Sequence, residues 1–219
     1  MPFSIHSIYN QIFKTWRTKR FSLFLKTLSP NQNDLLLDVG GYPWYWTSFP
    51  PVVARIDSLN LHEVKYDART FPRHNIRVIL GNGCHLEYPD KSYDIAYSNS
   101  VIEHVGSWDN QKSFATELRR VGKRLWCQTP ARECPIEPHY LAPFIHWLPS
   151  RLQRRILRFL TPWGLISRPT RKEVEEMVDT TRLISRREMS ELFPDCDILV
   201  EYLLPFVPKS YIAIRRFNA

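Results

Sequence analysis

Apolar and charged positions alternate at helical spacing from the amino terminus to Leu28. Ile5, Ile8, Ile12, Phe13, Trp16, Phe24 and Leu28 are the apolar anchors of one amphipathic helix over residues 5–28, and Ser29-Pro30-Asn31 stops it. A short apolar run, 35–39, then ends in Gly40-Gly41; it reads as a buried strand entering a tight turn. Further strands are predicted over 52–59, 76–80, 93–98 and 124–128, the fourth entered from the turn residues 89–92. Residues 110–121 form a helix with Phe114, Leu118 and Val121 on one face. This alternation predicts an α/β, doubly wound, mostly parallel sheet, with ligands at the carboxyl ends of its strands near the switch point in strand order.

The rhythm breaks over residues 131–181, where prolines 135, 138, 143, 149, 162 and 169 are interleaved with aromatics. Two short helices, 149–160 and 170–180, fit a lid or acceptor-binding insertion. A helix over 186–193 and strands over 198–204 and 211–216 follow, the last two close enough in sequence to pair antiparallel. One domain, 1–219, accounts for the whole pattern.

Four cysteines, Cys84, Cys127, Cys134 and Cys196, form no Cys-x-x-Cys pair, so neither a zinc ribbon nor a secreted disulfide scaffold is expected. Residues 1–28 lack the continuous apolar core of a signal peptide, and no run reaches the roughly 18 apolar residues of a membrane span. A cytoplasmic protein with free thiols is the expectation. The net charge of +8 leaves nucleic acid or an anionic surface open as partners, but no aromatic RNA-binding signature or Arg-Gly tail accompanies it.

Four constellations carry candidate chemistry. Asp38-Val39-Gly40-Gly41 ends the first strand, and a nucleotide-type cofactor needs such a turn because a Cβ blocks close backbone approach. Asp38 can hold a cationic amino group or orient the turn. No Gly-Lys-Ser/Thr follows, so this is not a P-loop. Asp57 and Asn60 both fall near the ribose-binding position about 20 residues beyond a glycine turn. Asn82-Gly83 after the third strand could read an adenine edge or form a simple turn. Ser98-Asn99 followed by Glu103-His104 places polar groups after the fourth strand, with the histidine as a possible general base or a packing residue. The spacing forces no Ser-His-Asp triad and no metal-ligand set.

Taken in order, these features resemble the class I S-adenosylmethionine-dependent methyltransferases of the methyltransferase domain 11 type. LLLDVGGYPWYW is similar to the first motif, GNGCHLEYPDKSYDIAYSNSVIEHV to the third-to-fourth strand region, and LWCQTPAR to the motif after the fifth strand. FPDCDILVEYLLPFVPKSYIAIRR is similar to the closing hairpin. The core of the resemblance spans about residues 35–130. It implies a Rossmann-like, seven-stranded sheet with an antiparallel hairpin of the sixth and seventh strands and a helical lid insertion. S-adenosylmethionine would be the cofactor: Asp38, Gly40 and Gly41 form its turn, Asn60 or Asp57 meets the ribose, Asn82 and Gly83 flank the adenine, and Ser98 and Asn99 lie under the methionine moiety. Two positions depart from the family pattern, Trp44 for a third glycine and Asn82 for an aspartate. The indole would narrow the pocket unless it turns away.

Methyl transfer from a sulfonium needs mainly alignment, helped by a base when a hydroxyl or amine acceptor loses a proton. The base candidates are His104 and His139, with Glu103 or Glu137 as orienting partners. The segment 135–140 is similar to a Glu-Pro-His segment in methyltransferases of bacterial glycan and natural-product clusters. With Phe144, His146 and Trp147 it gives an aromatic wall suited to a small-molecule, sugar or carrier-linked acceptor. Arg151, Arg154, Arg155 and Arg158, interleaved with apolar residues, could instead face water or lie on an anionic membrane. An RNA methyltransferase and a non-catalytic protein of the same fold are the alternatives.

Overall fold

Leu36, Leu37, Asp38 and Val39 are all buried, and a strand covered on both faces is what their near-continuous apolar run specifies. They belong to β1, Leu35–Val39, at the centre of the sheet. The computed structural model describes residues 5–216, with side chains from Thr15 onward. On one side of β1 lie β2, Arg55–Asn60, and β3, Ile76–Leu80; on the other lie β4, Tyr93–Asn99, and β5, Gly122–Pro130, all parallel.

The chain returns through β8, Asp197–Leu204, and β9, Val207–Arg215, which pair antiparallel with each other and, through β9, with β5. The seven-stranded order is β3-β2-β1-β4-β5-β9-β8, so the expected doubly wound sheet with a closing hairpin is present. The switch point lies between β1 and β4. The last strand starts four residues before the predicted 211, because register shifts on β8 accommodate Pro208 within the ladder.

Each face of the sheet has its own cover. Helix α3, Trp108–Val121, and helix α7, Arg186–Leu192, bury Phe114, Leu118 and Met189 on one face. On the other face, helix α1, Ile5–Leu28, and the single turn α2, Pro43–Trp46, bury Phe21, Phe24, Leu28 and Trp46 against Tyr97, Trp126 and Ile212. Phe24 meets Tyr97 and Trp126 edge-on at 5.4 and 5.6 Å between ring centres. Each such buried side chain stabilises the fold by roughly 1.5–3 kcal/mol. Of the predicted helix anchors, Phe24 and Leu28 are buried and Trp16 is half-buried; Ile5, Ile8, Ile12 and Phe13 lie outside the residues whose side chains are described.

Residues 131–181 contain a small hairpin of β6, Ile136–Glu137, and β7, Ala142–Pro143, a 3-10 turn at Ile145–Trp147, and three helices. These are α4, Ser150–Leu160, α5, Pro162–Ser167, and α6, Arg171–Thr180. The pattern predicts α4 and α6. It passes over α5, which Thr161 starts by accepting a hydrogen bond from the Gly164 N–H, with Pro162 in the first turn. Tyr140, Ala142, Ile145, Leu157 and Val174 give this segment a core of its own.

Candidate active site

The chain leaves β1 through Gly40, whose φ of +80° is the left-handed region that favours glycine. A Cβ there would fall 2.4 Å from Val101 Cγ1, so the turn and the segment after β4 are in close contact. At Gly41 a Cβ would overlap the Asp38 carboxylate at 1.8 Å, so this glycine makes room for that side chain. Neighbouring strands brace the turn. Ser58 Oγ and Asn60 Nδ2 both donate to the Gly41 carbonyl, at 2.7 and 3.0 Å, and Ser98 Oγ donates to the Val39 carbonyl at 3.0 Å.

Asp38 is buried at the base of this turn. Trp46 Nε1 donates to its Oδ2 at 2.7 Å, while Oδ1 is buried with no hydrogen-bond partner. Burial pushes the carboxyl up to about 7, against the lowering effect of the Trp46 hydrogen bond. An unpartnered buried carboxylate oxygen is costly unless a donor, above all a cation, arrives to meet it. Trp44 is not packed into the turn: its indole is 52% exposed and stacks on Tyr42, ring centres 5.0 Å apart.

The remaining candidates separate into two groups. Asn60 stands at the end of β2 beside the turn. Asp57 is committed elsewhere: it pairs with Arg55 at 3.0 Å and accepts from Tyr93 Oη at 2.9 Å, inside the sheet rather than at its rim. Asn82 closes its own turn by accepting from the Cys84 N–H at 2.9 Å, and Gly83 packs on Val39 and Phe114, where a Cβ would clash. Asn99 Oδ1 accepts from Arg20 at 3.0 Å. The same guanidinium donates to Gln128 Oε1 and pairs with Glu201 at 2.5 Å. Local pattern gives no hint of Arg20, Trp46, Ser58 or Gln128 here, because each reaches the rim from a different element.

The acid and histidine candidates do come together. Glu103 and His104 lie in a 3-10 turn, Ile102–His104, just beyond β4, and the β6–β7 hairpin carries Glu137 and His139 to them. His104 Nε2 and His139 Nε2 are 3.0 Å apart, and His139 Nδ1 meets Glu137 Oε1 at 2.5 Å. Glu103 is fully buried. Thr129 Oγ1 donates to its Oε2 at 2.9 Å, and its Oε1 has no hydrogen-bond partner. Burial raises the Glu103 carboxyl, with His139 and Thr129 pulling the other way. Burial and the neighbouring His139 push His104 down to about 4. For His139 burial opposes the charge, but the Glu137 carboxylate outweighs it and the imidazole is raised.

Phe144 and Trp147 are half-exposed, with ring centres 5.2 Å apart. The Arg132 carbonyl accepts from Trp147 Nε1 at 3.0 Å and lies 2.9 Å from His146 Nε2. Of the predicted aromatic wall, His146 and Trp147 line an open cleft with Glu133 and Ser185 at its sides, and Phe144 stands outside its lining.

Residues 47–124 match the family described as a methyltransferase domain, of type 11. No curated protein matches the chain in sequence. Among solved structures the chain is similar to a SAM-dependent methyltransferase from Methanosarcina mazei, at 17% identity, over 86% of this chain and 95% of that one, with a TM-score of 0.51. It is also similar to the YcgJ protein from Bacillus subtilis, at 17% identity over 90% and 98% of the two chains, TM-score 0.50. A Pyrococcus horikoshii protein matches at 12% identity over 92% and 89%, TM-score 0.56. At these identities the structural likeness establishes the fold.

Proposed function

We propose that the chain is a class I S-adenosylmethionine-dependent methyltransferase, and that it methylates a hydroxyl or amine on a small-molecule, sugar or carrier-linked acceptor. The single observation that carries this is the buried, unpartnered Asp38 oxygen under a glycine turn at the switch point of the sheet. Asp38 would take the cofactor's ammonium, Gly40 and Gly41 would admit its backbone-side edge, Asn60 would meet its ribose, and Asn82 would flank its adenine. Ser98 supports the turn from β4, and Asn99, held by Arg20, would lie with it under the methionine moiety.

Bound S-adenosylmethionine supplies an electrophilic methyl group, so the protein's own work is alignment and proton removal. His104 and His139 are the groups positioned to receive the acceptor's proton, with Glu137 orienting the second ring. They stand next to the turn because Val101, three residues before His104, packs on Gly40. The open aromatic cleft suits a ring-bearing acceptor.

A membrane-borne acceptor is favoured by one surface. On α4 and α5, Leu152, Phe159, Leu160 and Leu165 are between 42% and 71% exposed, flanked by the exposed arginines Arg151, Arg155 and Arg158. A basic face with exposed apolar side chains partitions to anionic bilayers. No helix of the described residues is long and apolar enough to cross a membrane.

Calorimetry with S-adenosylhomocysteine tests the cofactor half, with binding expected for the native chain and lost in Asp38→Ala. A folded native chain that binds neither S-adenosylmethionine nor its product overturns the assignment. Transfer of a radiolabelled methyl group to a panel of ring-bearing alcohols and amines tests the acceptor half, and co-sedimentation with phosphatidylglycerol vesicles tests the membrane face.

A further inference from the structure

We infer that Glu103, His104 and His139 form a binding site for a divalent transition-metal ion of the zinc class. Its existence does not depend on the methyltransferase reading, but its use in activating an acceptor does. Three independent features point to it.

The first is geometric. One ligand atom from each residue lies within 4.8 Å of the other two. His104 Nε2 and His139 Nε2 are 3.0 Å apart, and His139 Nε2 lies 4.0 Å from Glu103 Oε1. Metal bonds of about 2.0–2.2 Å hold neighbouring ligand atoms roughly 3–3.5 Å apart. A cation at the centre therefore needs small side-chain adjustments and no backbone movement.

The second is electrostatic. Glu103 is fully buried and its Oε1 has no hydrogen-bond partner. Glu137, the other buried carboxylate of the cluster, forms an ion pair with His139. No lysine or arginine among the described residues forms an ion pair with either acid. A hydrogen bond between the two imidazoles satisfies their nitrogens but leaves Glu103 Oε1 bare, which costs stability. A cation answers that oxygen and both nitrogens together.

The third is the support around the ligands. Glu137 Oε1 holds His139 Nδ1 at 2.5 Å, which fixes the tautomer with the Nε2 lone pair turned to the cluster. The second Glu137 oxygen accepts from the Tyr140 N–H at 2.8 Å, so this orienting group is itself held in place. Thr129 fixes Glu103 through its other oxygen. A carboxylate behind a metal-binding imidazole is the usual second layer of such centres.

Two histidines and one carboxylate suit zinc, iron(II) or cobalt(II) rather than magnesium or calcium, whose sites are built from oxygen. The three ligands found among the described residues leave a coordination position open. That position would take an oxygen donor of the acceptor, and the cation would lower the pKa of that oxygen so that its proton leaves to solvent. The imidazoles then serve as ligands, and the direct-base role given them above belongs to the metal-free protein.

The test uses the tag-free full chain, stripped with EDTA, and two readouts that need no turnover: calorimetry with Zn²⁺ and visible absorption on titration with Co²⁺. One equivalent should bind at micromolar affinity or tighter, with the d–d bands of a low-coordinate cobalt site. His139→Ala and Glu103→Gln should weaken binding by about 100-fold or more, and Glu137→Gln by about 10–100-fold, with circular dichroism checking that each variant is folded. Absence of binding by the native chain, or folded ligand variants that bind as the native chain does, overturns the site. The same stripped samples are titrated with S-adenosylhomocysteine. Cofactor binding without metal binding rejects the metal site alone, and metal binding without cofactor binding rejects the methyltransferase reading alone.

Discussion

Trp46 donates its indole N–H to one oxygen of Asp38 at 2.7 Å and leaves the other oxygen of that carboxylate buried and unanswered. With burial as the dominant cause, the folded carboxyl titrates at about 7 rather than 3.8. A carboxyl whose folded value is raised binds its proton more tightly in the folded state. The contribution of Asp38 to stability therefore declines as pH rises from about 4 to about 7, and the cost is full above that.

Ligand binding should run the opposite way. A cationic ammonium requires the ionised carboxylate, so affinity for S-adenosylhomocysteine should rise as pH passes upward through about 7 and then level off. Asp38→Asn should weaken binding by about 100-fold, abolish this pH dependence, and stabilise the free protein at pH 8 by about 1–3 kcal/mol. Calorimetry across the pH range and urea denaturation check the two halves.

Gly40→Ala should destabilise the fold by about 2–4 kcal/mol, from left-handed backbone strain together with overlap on Val101. In the double variant Gly40→Ala/Val101→Ala the overlap is relieved and the backbone strain stays, so the two changes should be non-additive. Denaturant midpoints of the four proteins measure the coupling, and strict additivity would contradict the packing described.

Trp44→Gly should leave cofactor affinity within about twofold and stability within about 0.5 kcal/mol, because the half-exposed indole packs on Tyr42 rather than in the turn. A large gain in affinity on removing the ring would mean that it does obstruct the site.

Arg20→Met should cost about 1–3 kcal/mol, since it removes the guanidinium donor to Asn99 Oδ1 and leaves the largely buried Glu201 carboxylate to Ser210 and Lys209. Adding Glu201→Leu should recover much of that loss, which guanidinium denaturation of the single and double variants will show.

The apolar runs made the sheet legible. Residues 76–80 are the third strand as predicted, and β1 and β4 agree to within a residue. The second strand starts at Arg55 rather than 52, because Val53 is buried from a loop and its burial mimics a strand position. Helix α2 escaped notice because a single turn built from Pro43, Trp44, Tyr45 and Trp46 has no helical period to detect. At the site, the glycine turn and both histidines could be picked out one by one. Their meeting could not, because it depends on a hairpin that returns His139 to His104 across 35 positions. Asp57 shows the reverse case: local spacing suits a ligand contact, while Arg55 two residues before it on β2 and Tyr93 on β4 hold it for the interior.

The Arg20–Glu201 pair joins residues 181 positions apart. During synthesis the guanidinium emerges before any strand of the sheet exists, and its carboxylate arrives only with the final hairpin. Until then α1 rests on Phe24 and Leu28 packed against Tyr97 and Trp126, without that ion pair. The ion pair therefore closes only after β8 has joined β9, and the guanidinium waits for its carboxylate through the making of the whole parallel sheet.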